Sequence, residues 1–338
     1  LELTAALRRY RPSFSLSDDE HENLLELLEY ASRGITSTKL PRGGDGITRI
    51  LVSGFDPFTF IWSDSPEGLR HDNPSGAAAL QLNGRHLETY QGPVFVESVL
   101  FPVRWQDFND GILEDAFGPR LQEDAHDMIL TISQGGRGIM DIEGWAGSWR
   151  GGILGSNLET REGYIPPAPG WPDPSIDDPF VPGDGRLEWV ETTLPYREMM
   201  RAAEEPWPIV FDDRGWGWPA PHEGTDPRLE PVDDDRIEQF GQVYETLDGD
   251  VDEHPPDGML AYSGPGGNYL SNESQYRSNR LRMALGKRDM PGGHLHVSGV
   301  QFDDENTSGI TDGHWERELE DTVDQIVDLV RTAGVASG

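Results

Sequence analysis

Apolar residues along the 338-residue chain fall in short runs separated by Gly, Pro and Asp, and the runs alternate between two periods. Ile47 to Phe55 reads as a strand that ends in a loop. Asn73-Pro74-Ser75 then opens a helix of small and apolar residues to Leu82, with Pro74 at a favourable early position. Val94 to Val103 predicts a second strand, Gln106 to Phe117 a helix, and Met128 to Ser133 a third strand. Strands alternating with helices imply βαβ units and a largely parallel sheet covered on both faces.

Towards the C-terminus, Met259 to Ser263 reads as a strand, followed by Gly264-Pro265-Gly266-Gly267 and a helix to about Leu285. A short strand at His294 to Ser298 and an amphipathic helix from His314 to Thr332 close the chain. The Leu, Val and Ile spacing at 319, 323, 326, 327, 329 and 330 supports that last helix. Between them, roughly 148–258 is rich in Gly, Pro, Trp and Asp, and only Leu194 to Ala203 reads clearly as helix. Such stretches are lids, binding loops or insertions. At the other end, Ser17 precedes Asp18-Asp19-Glu20 at the start of a predicted helix to Tyr30, with leucines at 24, 25, 27 and 28 as one apolar stripe. Gly43-Gly44-Asp45-Gly46 reads as a linker. The expected organisation is therefore a helical extension over 1–46 and an α/β domain over 47–338, with insertions around 148–190 and 204–258.

Charge narrows the partners. Acidic residues number 61 against 27 basic ones, a net charge of −34, and the only lysines are Lys39 and Lys287. Such a surface repels phosphate backbones, so no nucleic-acid partner is expected. It suits a soluble protein in a high-salt cytoplasm, where counterions screen the self-repulsion; an arginine-preferring, GC-rich genome explains the lysine scarcity equally well. No run of about 18 apolar residues offers a membrane span. Leu1-Glu2-Leu3 carries no starting Met and no signal pattern, which reads as a trimmed end and leaves an upstream targeting peptide open. Cysteine is absent, which removes disulfides, thiolate metal sites and thiol nucleophiles. No cofactor motif is present, and a homo-oligomer stays open.

Three segments put a reactive group at the end of a predicted strand, where open α/β sheets place their sites. Gln134-Gly135-Gly136-Arg137 is followed by Glu143, an acid/base candidate, although most glutamates in so acidic a chain are simply solvated. Gly266-Gly267-Asn268-Tyr269-Leu270-Ser271-Asn272 runs from strand into helix, and Ser271 at a helix start has free backbone N–H groups and the positive end of the macrodipole beside it. The blander reading is a capping or buried serine. Gly293-His294-Leu295-His296-Val297 puts two histidines on one strand face. They suit either a zinc site, for which the sequence specifies no third ligand, or a base acting on Ser271 with Glu143 aligning it.

Taken in order, these segments resemble pyroglutamyl peptidase I (pyrrolidone-carboxylate peptidase). Gly54-Phe55-Asp56-Pro57-Phe58 with Asn73-Pro74-Ser75 is similar to the family's "GFEPF…NPS". Leu100-Phe101-Pro102-Val103 is similar to its "LPV", and Gly136-Arg137 with Glu143 to its "GR…ERVAIN" spacing. Thr193-Leu194-Pro195 resembles "TLP", residues 267–272 resemble "GTYVCN", and residues 293–297 resemble "GFIHV". The resemblance implies a three-layer α/β/α sandwich with a mixed, mostly parallel sheet. It implies a cysteine peptidase that removes an N-terminal pyroglutamyl residue, with Glu143, Ser271 and His296 as the catalytic positions, no metal, and a blocked peptide as substrate. Phe55 and Phe58 match the aromatic pair that sandwiches the pyrrolidone ring, and Ser133 and Gln134 complete the substrate-binding set.

The chain departs from the pattern in four places. Serine stands at the nucleophile position, His294 replaces an apolar residue, and Gly144-Trp145-Ala146-Gly147-Ser148 replaces the run with the family's Arg and Asn. That Arg maps to Arg150 or Arg161. The N-terminal segment and the stretch around Trp207, Trp216 and Trp218 are additions. Three readings stay open: a peptidase whose cysteine has been replaced, by nature or by engineering; a serine-dependent amidase with an altered substrate; and a non-catalytic relative that binds pyroglutamyl or similarly capped peptides.

Overall fold

A computed structural model describes residues 16–36, 46–58, 70–174, 187–202, 205–219, 226–230, 234–241 and 253–337. The expectation of a linker at Gly43 to Asp45 lies outside these residues. The central sheet is built on β1 (Thr48–Phe55), β3 (Val94–Phe101), β4 (Met128–Gln134) and β14 (Gly292–Val297), all mutually parallel. Around them stand β2 (Arg85–Leu87), antiparallel to β3, then β5 (Met140–Glu143), antiparallel to β14, and β10 (Ile209–Asp212), parallel to β5. The order is β10-β5-β14-β4-β1-β3-β2, a mixed and mostly parallel sheet as expected.

Because side chains alternate across a strand, β1 feeds two cores. Ile50 and Val52 pack with Met128, Leu130, α2 (Pro74–Leu82) and the closing helix α7 (Gly313–Ser337), which contributes Val323, Ile326, Val327, Leu329 and Val330. Leu51 and Ile129 pack on the other face with α3 (Trp105–Asn109), α4 (Ile112–Gln122) and α6 (Leu270–Ala284) through Phe108, Phe117, Leu270 and Leu281. The result is a three-layer α/β/α sandwich. Each fully buried Leu or Ile in these layers is worth about 1.5–3 kcal/mol.

Four local features differ from the sequence-based expectation. The helix predicted over Gln106–Phe117 is two helices, because Gly111 takes a left-handed φ of +92° between them. Part of the 204–258 segment read as an irregular insertion supplies β10, an edge strand of the main sheet. The strand before Ser271, β13 (Leu260–Ser263), joins a separate three-stranded sheet with β11 (Gly215–Trp218) and β12 (Glu238–Phe240). The 148–190 segment likewise carries short pairs: β7 (Trp149–Gly151) with β8 (Glu162–Tyr164), and β9 (Trp189–Glu191) with β6 (Trp145–Gly147).

The N-terminal helix α1 (Asp18–Ser32) starts with a complete capping box, Ser17 with Glu20. Its predicted leucine stripe narrows to Leu25, while Leu24 and Leu27 are exposed. The helix is docked by polar contacts near its end. Arg33 grips Asp56 with two bonds of 3.1 and 2.8 Å, and the Tyr30 hydroxyl donates to Asp115 at 2.9 Å. Asp56 belongs to the loop that carries Phe55 and Phe58, so the extension is tied to one wall of the site described next.

Candidate functional site

Two close backbone approaches set the first wall. A side chain on Gly54 would meet the Ser75 carbonyl oxygen at 2.3 Å, and one on Gly76 the Phe55 oxygen at 2.4 Å, so both positions require glycine. Across this contact Asn73 caps α2, its Oδ1 accepting from the Ser75 N–H at 3.1 Å, while its Nδ2 donates to the Asp56 carbonyl at 3.1 Å. The Ser75 hydroxyl accepts from the Phe55 N–H at 3.1 Å. The two motifs, Gly54-Phe55-Asp56-Pro57-Phe58 and Asn73-Pro74-Ser75, are thus one hydrogen-bonded unit.

Phe55, Phe58, Asn73, Ser133, Gln134 and Ser271 line a common cavity of about 70 Å³, with Val103, Tyr269 and Leu270. That is several times the roughly 10–15 Å³ a single water needs. All four residues expected to bind substrate therefore meet beside the expected nucleophile position. Phe55 also serves the core: it is 3% exposed and stacks on Phe108 at 6.0 Å and 7°.

Ser271 lies in the first turn of α6, and its hydroxyl donates to the Gly266 carbonyl at 3.1 Å. The first intrahelical bond at this end is from the Glu273 N–H to the Tyr269 carbonyl. Among the described residues the N–H groups of Leu270, Ser271 and Asn272 have no acceptor, as at any helix start. They form a donor set for a negatively charged oxygen. The helix is anchored by Asn272, which exchanges two 2.8 Å bonds with the Gly147 backbone, and by Glu273, which receives Arg150 at 2.7 Å and Arg277 at 2.6 Å. Of the two candidate arginines, Arg150 is therefore the buried one at this helix; Arg161 is partly exposed.

Glu143 and His296 meet directly. The Glu143 Oε1 atom is against His296 Nδ1, and His296 Nε2 has no hydrogen-bond partner among the described residues. Full burial pulls the Glu143 carboxyl pKa up, against the pull of His296 and of the neighbouring Gly266 N–H. Burial disfavours the His296 imidazolium, but the Glu143 contact, with Asp141 and Asp212 adding to it, wins and holds its pKa above the ordinary value. Asp141, directly opposite His296 in the β14–β5 register, is pushed up to about 6, chiefly by burial.

Gly266 joins the two halves. Its carbonyl accepts from Ser271, its backbone packs against Glu143, and a side chain there would sit 2.3 Å from Glu143 Oε2. On the other side, Gly135 lies against the His296 ring, 2.9 Å from its Cβ to where a glycine side chain would begin. Ser271 and His296 share no hydrogen bond among the described residues. Asp141, Asp212 and Gly266 were not anticipated from sequence; the alternation Asp141-x-Glu143 against His294-x-His296 is the signal that could have found the first.

Glu143, His294 and His296 offer ligand atoms all within 4.8 Å of one another. A zinc ion needs such atoms at about 2.0–2.2 Å from one point. Here both His294 nitrogens already face hydroxyls, Thr131 Oγ1 at 2.7 Å and Ser133 Oγ at 2.8 Å, and His296 Nδ1 is on Glu143.

A pH dependence follows. A base at His296 works only when neutral, so the acid limb of kcat/KM for any hydrolysis falls above the ordinary histidine value of about 6.5. Asp141→Asn removes a facing carboxylate and moves that limb to lower pH. An unmoved limb in a folded variant contradicts the assignment of the limb to His296.

No helix among the described residues is long and apolar enough to cross a membrane. Among solved structures, the chain is similar to a variant pyrrolidone carboxyl peptidase from Pyrococcus furiosus, with 18% identity, a TM-score of 0.47, and coverage of 85% of this chain and 98% of that one. It is also similar to pyroglutamyl peptidase I of Bacillus amyloliquefaciens, with 16% identity, a TM-score of 0.49, and coverage of 86% and 98%. Among curated proteins it is 30% identical over 342 aligned positions to the uncharacterized protein PA0049 of Pseudomonas aeruginosa, and it spans 88% of its own length but 62% of that protein's. Residues 49–173 and 230–301 match a family model described as the C-terminal domain of PA0049, and the chain belongs to that family.

Proposed function

We propose that the chain is an amide hydrolase acting on a small cyclic or blocked N-terminal group, of which a pyroglutamyl residue is the best match. Ser271 is the nucleophile, His296 the base and Glu143 the carboxylate that orients it. The observation that carries this reading is the buried Glu143–His296 contact, joined through Gly266 to a serine at a helix start in a small aromatic-walled cavity. With Nδ1 held by Glu143, His296 keeps Nε2 for the proton of the attacking hydroxyl. Rotation of the Ser271 side chain off the Gly266 carbonyl would free that hydroxyl. The carbonyl oxygen of the substrate, becoming negative, would be met by the N–H groups of the first turn of α6.

Release of a fluorophore from pyroglutamyl-aminocoumarin tests the reading. We expect slow turnover by the protein as it stands and at least about tenfold faster turnover by Ser271→Cys, equivalent to about 1.4 kcal/mol of barrier, because a thiolate forms near neutral pH where an alkoxide does not. No turnover by either form refutes the hydrolase. One observation favours a second reading, binding without turnover: the Ser271 proton is engaged by the Gly266 carbonyl rather than by a base. Calorimetric binding of a pyroglutamyl peptide with no product from either form would establish it.

A further inference from the structure

His294 takes no part in the mechanism above, yet it is fully buried, touches the cavity wall and stands perpendicular to His296 with ring centres 5.0 Å apart. Its hydroxyl neighbours bear on its tautomer. On the Nδ1 side, Thr131 Oγ1 is at 2.7 Å and Ser274 Oγ at 3.5 Å. Thr131 also reaches the Gly293 carbonyl at 3.2 Å, and Ser274 donates to the Ser271 carbonyl at 2.7 Å. Placing both hydroxyl protons on those carbonyls turns lone pairs towards Nδ1 and puts the ring proton there. Nε2 is then a bare lone pair, and the Ser133 hydroxyl, 2.8 Å away, donates to it. The opposite tautomer would take the Thr131 proton from Gly293 and turn the Ser133 proton towards the cavity.

We infer that His294 is a positioning residue: by holding the Ser133 proton on Nε2 it leaves Ser133 Oγ as a pure hydrogen-bond acceptor on the cavity wall, so that the site selects a ligand with an N–H at that point. Under the proposed function, on which the ligand class rests, that N–H belongs to a secondary lactam. A ring oxygen in its place would set lone pair against lone pair. Burial and the neighbouring His296 keep His294 neutral, so it acts by fixing a proton and not by carrying charge. The residue pair needs two alternations in register, Thr131-x-Ser133 on β4 and His294-x-His296 on β14, with His294 beside Thr131 and His296 beside Ser133.

Two arms test this. In protein labelled with 15N at histidine, the His294 ring shifts should report the Nδ1–H tautomer; an Nε2–H tautomer overturns the inference whatever binds. By calorimetry, pyroglutamyl amide should bind about tenfold or more tighter than its lactone isostere, the worth of one buried hydrogen bond lost. Ser133→Ala and His294→Phe should each bring that ratio close to one. An unchanged ratio in Ser133→Ala overturns the inference, and this variant carries the test if His294→Phe does not fold. If neither ring binds, the proposed substrate class is wrong, and the tautomer alone decides the role of His294.

Discussion

Glu143→Gln should lower kcat for pyroglutamyl-aminocoumarin by about ten-thousandfold while leaving the fold intact. The amide keeps the shape of the carboxylate, but it can present an N–H to His296 Nδ1 and so favour the tautomer with its proton on Nε2, where no base is available. In serine hydrolases the equivalent carboxylate-to-amide change costs about that factor. The group is positioned to have this effect: it is fully buried, in contact with Nδ1, and closed in by Gly266. Steady-state kinetics on a variant with an unchanged melting curve makes the test. A loss of less than about tenfold would mean that Glu143 is a structural partner of His296 only.

The largest effect on stability should come from Glu273. Its carboxylate is fully buried between Arg150 and Arg277, and Arg277 also reaches Glu114 at 2.9 Å. Burial works to raise the Glu273 pKa, but the two guanidiniums win and hold it below the usual carboxylate range. Glu273→Leu would leave two guanidiniums in a dry interior with half their partners gone. Breaking a buried pair in this way costs about 3–5 kcal/mol, a large share of the total stability of an ordinary domain. Replacing Glu273, Arg150, Arg277 and Glu114 together by apolar residues of similar size should recover much of the loss, since it removes the stranded charges too. Urea denaturation of the single and quadruple variants measures both. A single variant within 1 kcal/mol of the parent would show that water reaches this network.

That network also marks where sequence reading stops. Leu270 to Ala284 contains Ser, Asn, Glu, Gln and Arg in nearly every turn and looks like a solvent-facing helix, yet it is buried from Leu270 to Arg282. Nothing local indicates this, because its partners Arg150, Glu114 and Gly147 are more than a hundred residues away. The parallel strands were legible for the opposite reason. A strand covered on both faces must be apolar throughout, and Ile50-Leu51-Val52 and Met128-Ile129-Leu130 announce themselves. Glu143, Ser271 and His296 were singled out through motif order. Their surroundings were not: the strand preceding Ser271 lies in the small sheet, and β10 enters the main sheet from a segment whose Trp, Pro and Asp content reads as loop. The hydroxyls around His294 are invisible in one dimension, since a Thr-x-Ser on a strand has meaning only when the facing strand is known.

The central claim is that the Glu143–His296 pair activates Ser271, and covalent labelling reads it most directly. Intact mass after exposure to a fluorophosphonate should show one adduct, mapped to Ser271 by peptide mass and lost in His296→Ala with the fold preserved. A folded parent that takes no adduct, or that is labelled equally well without His296, would contradict it.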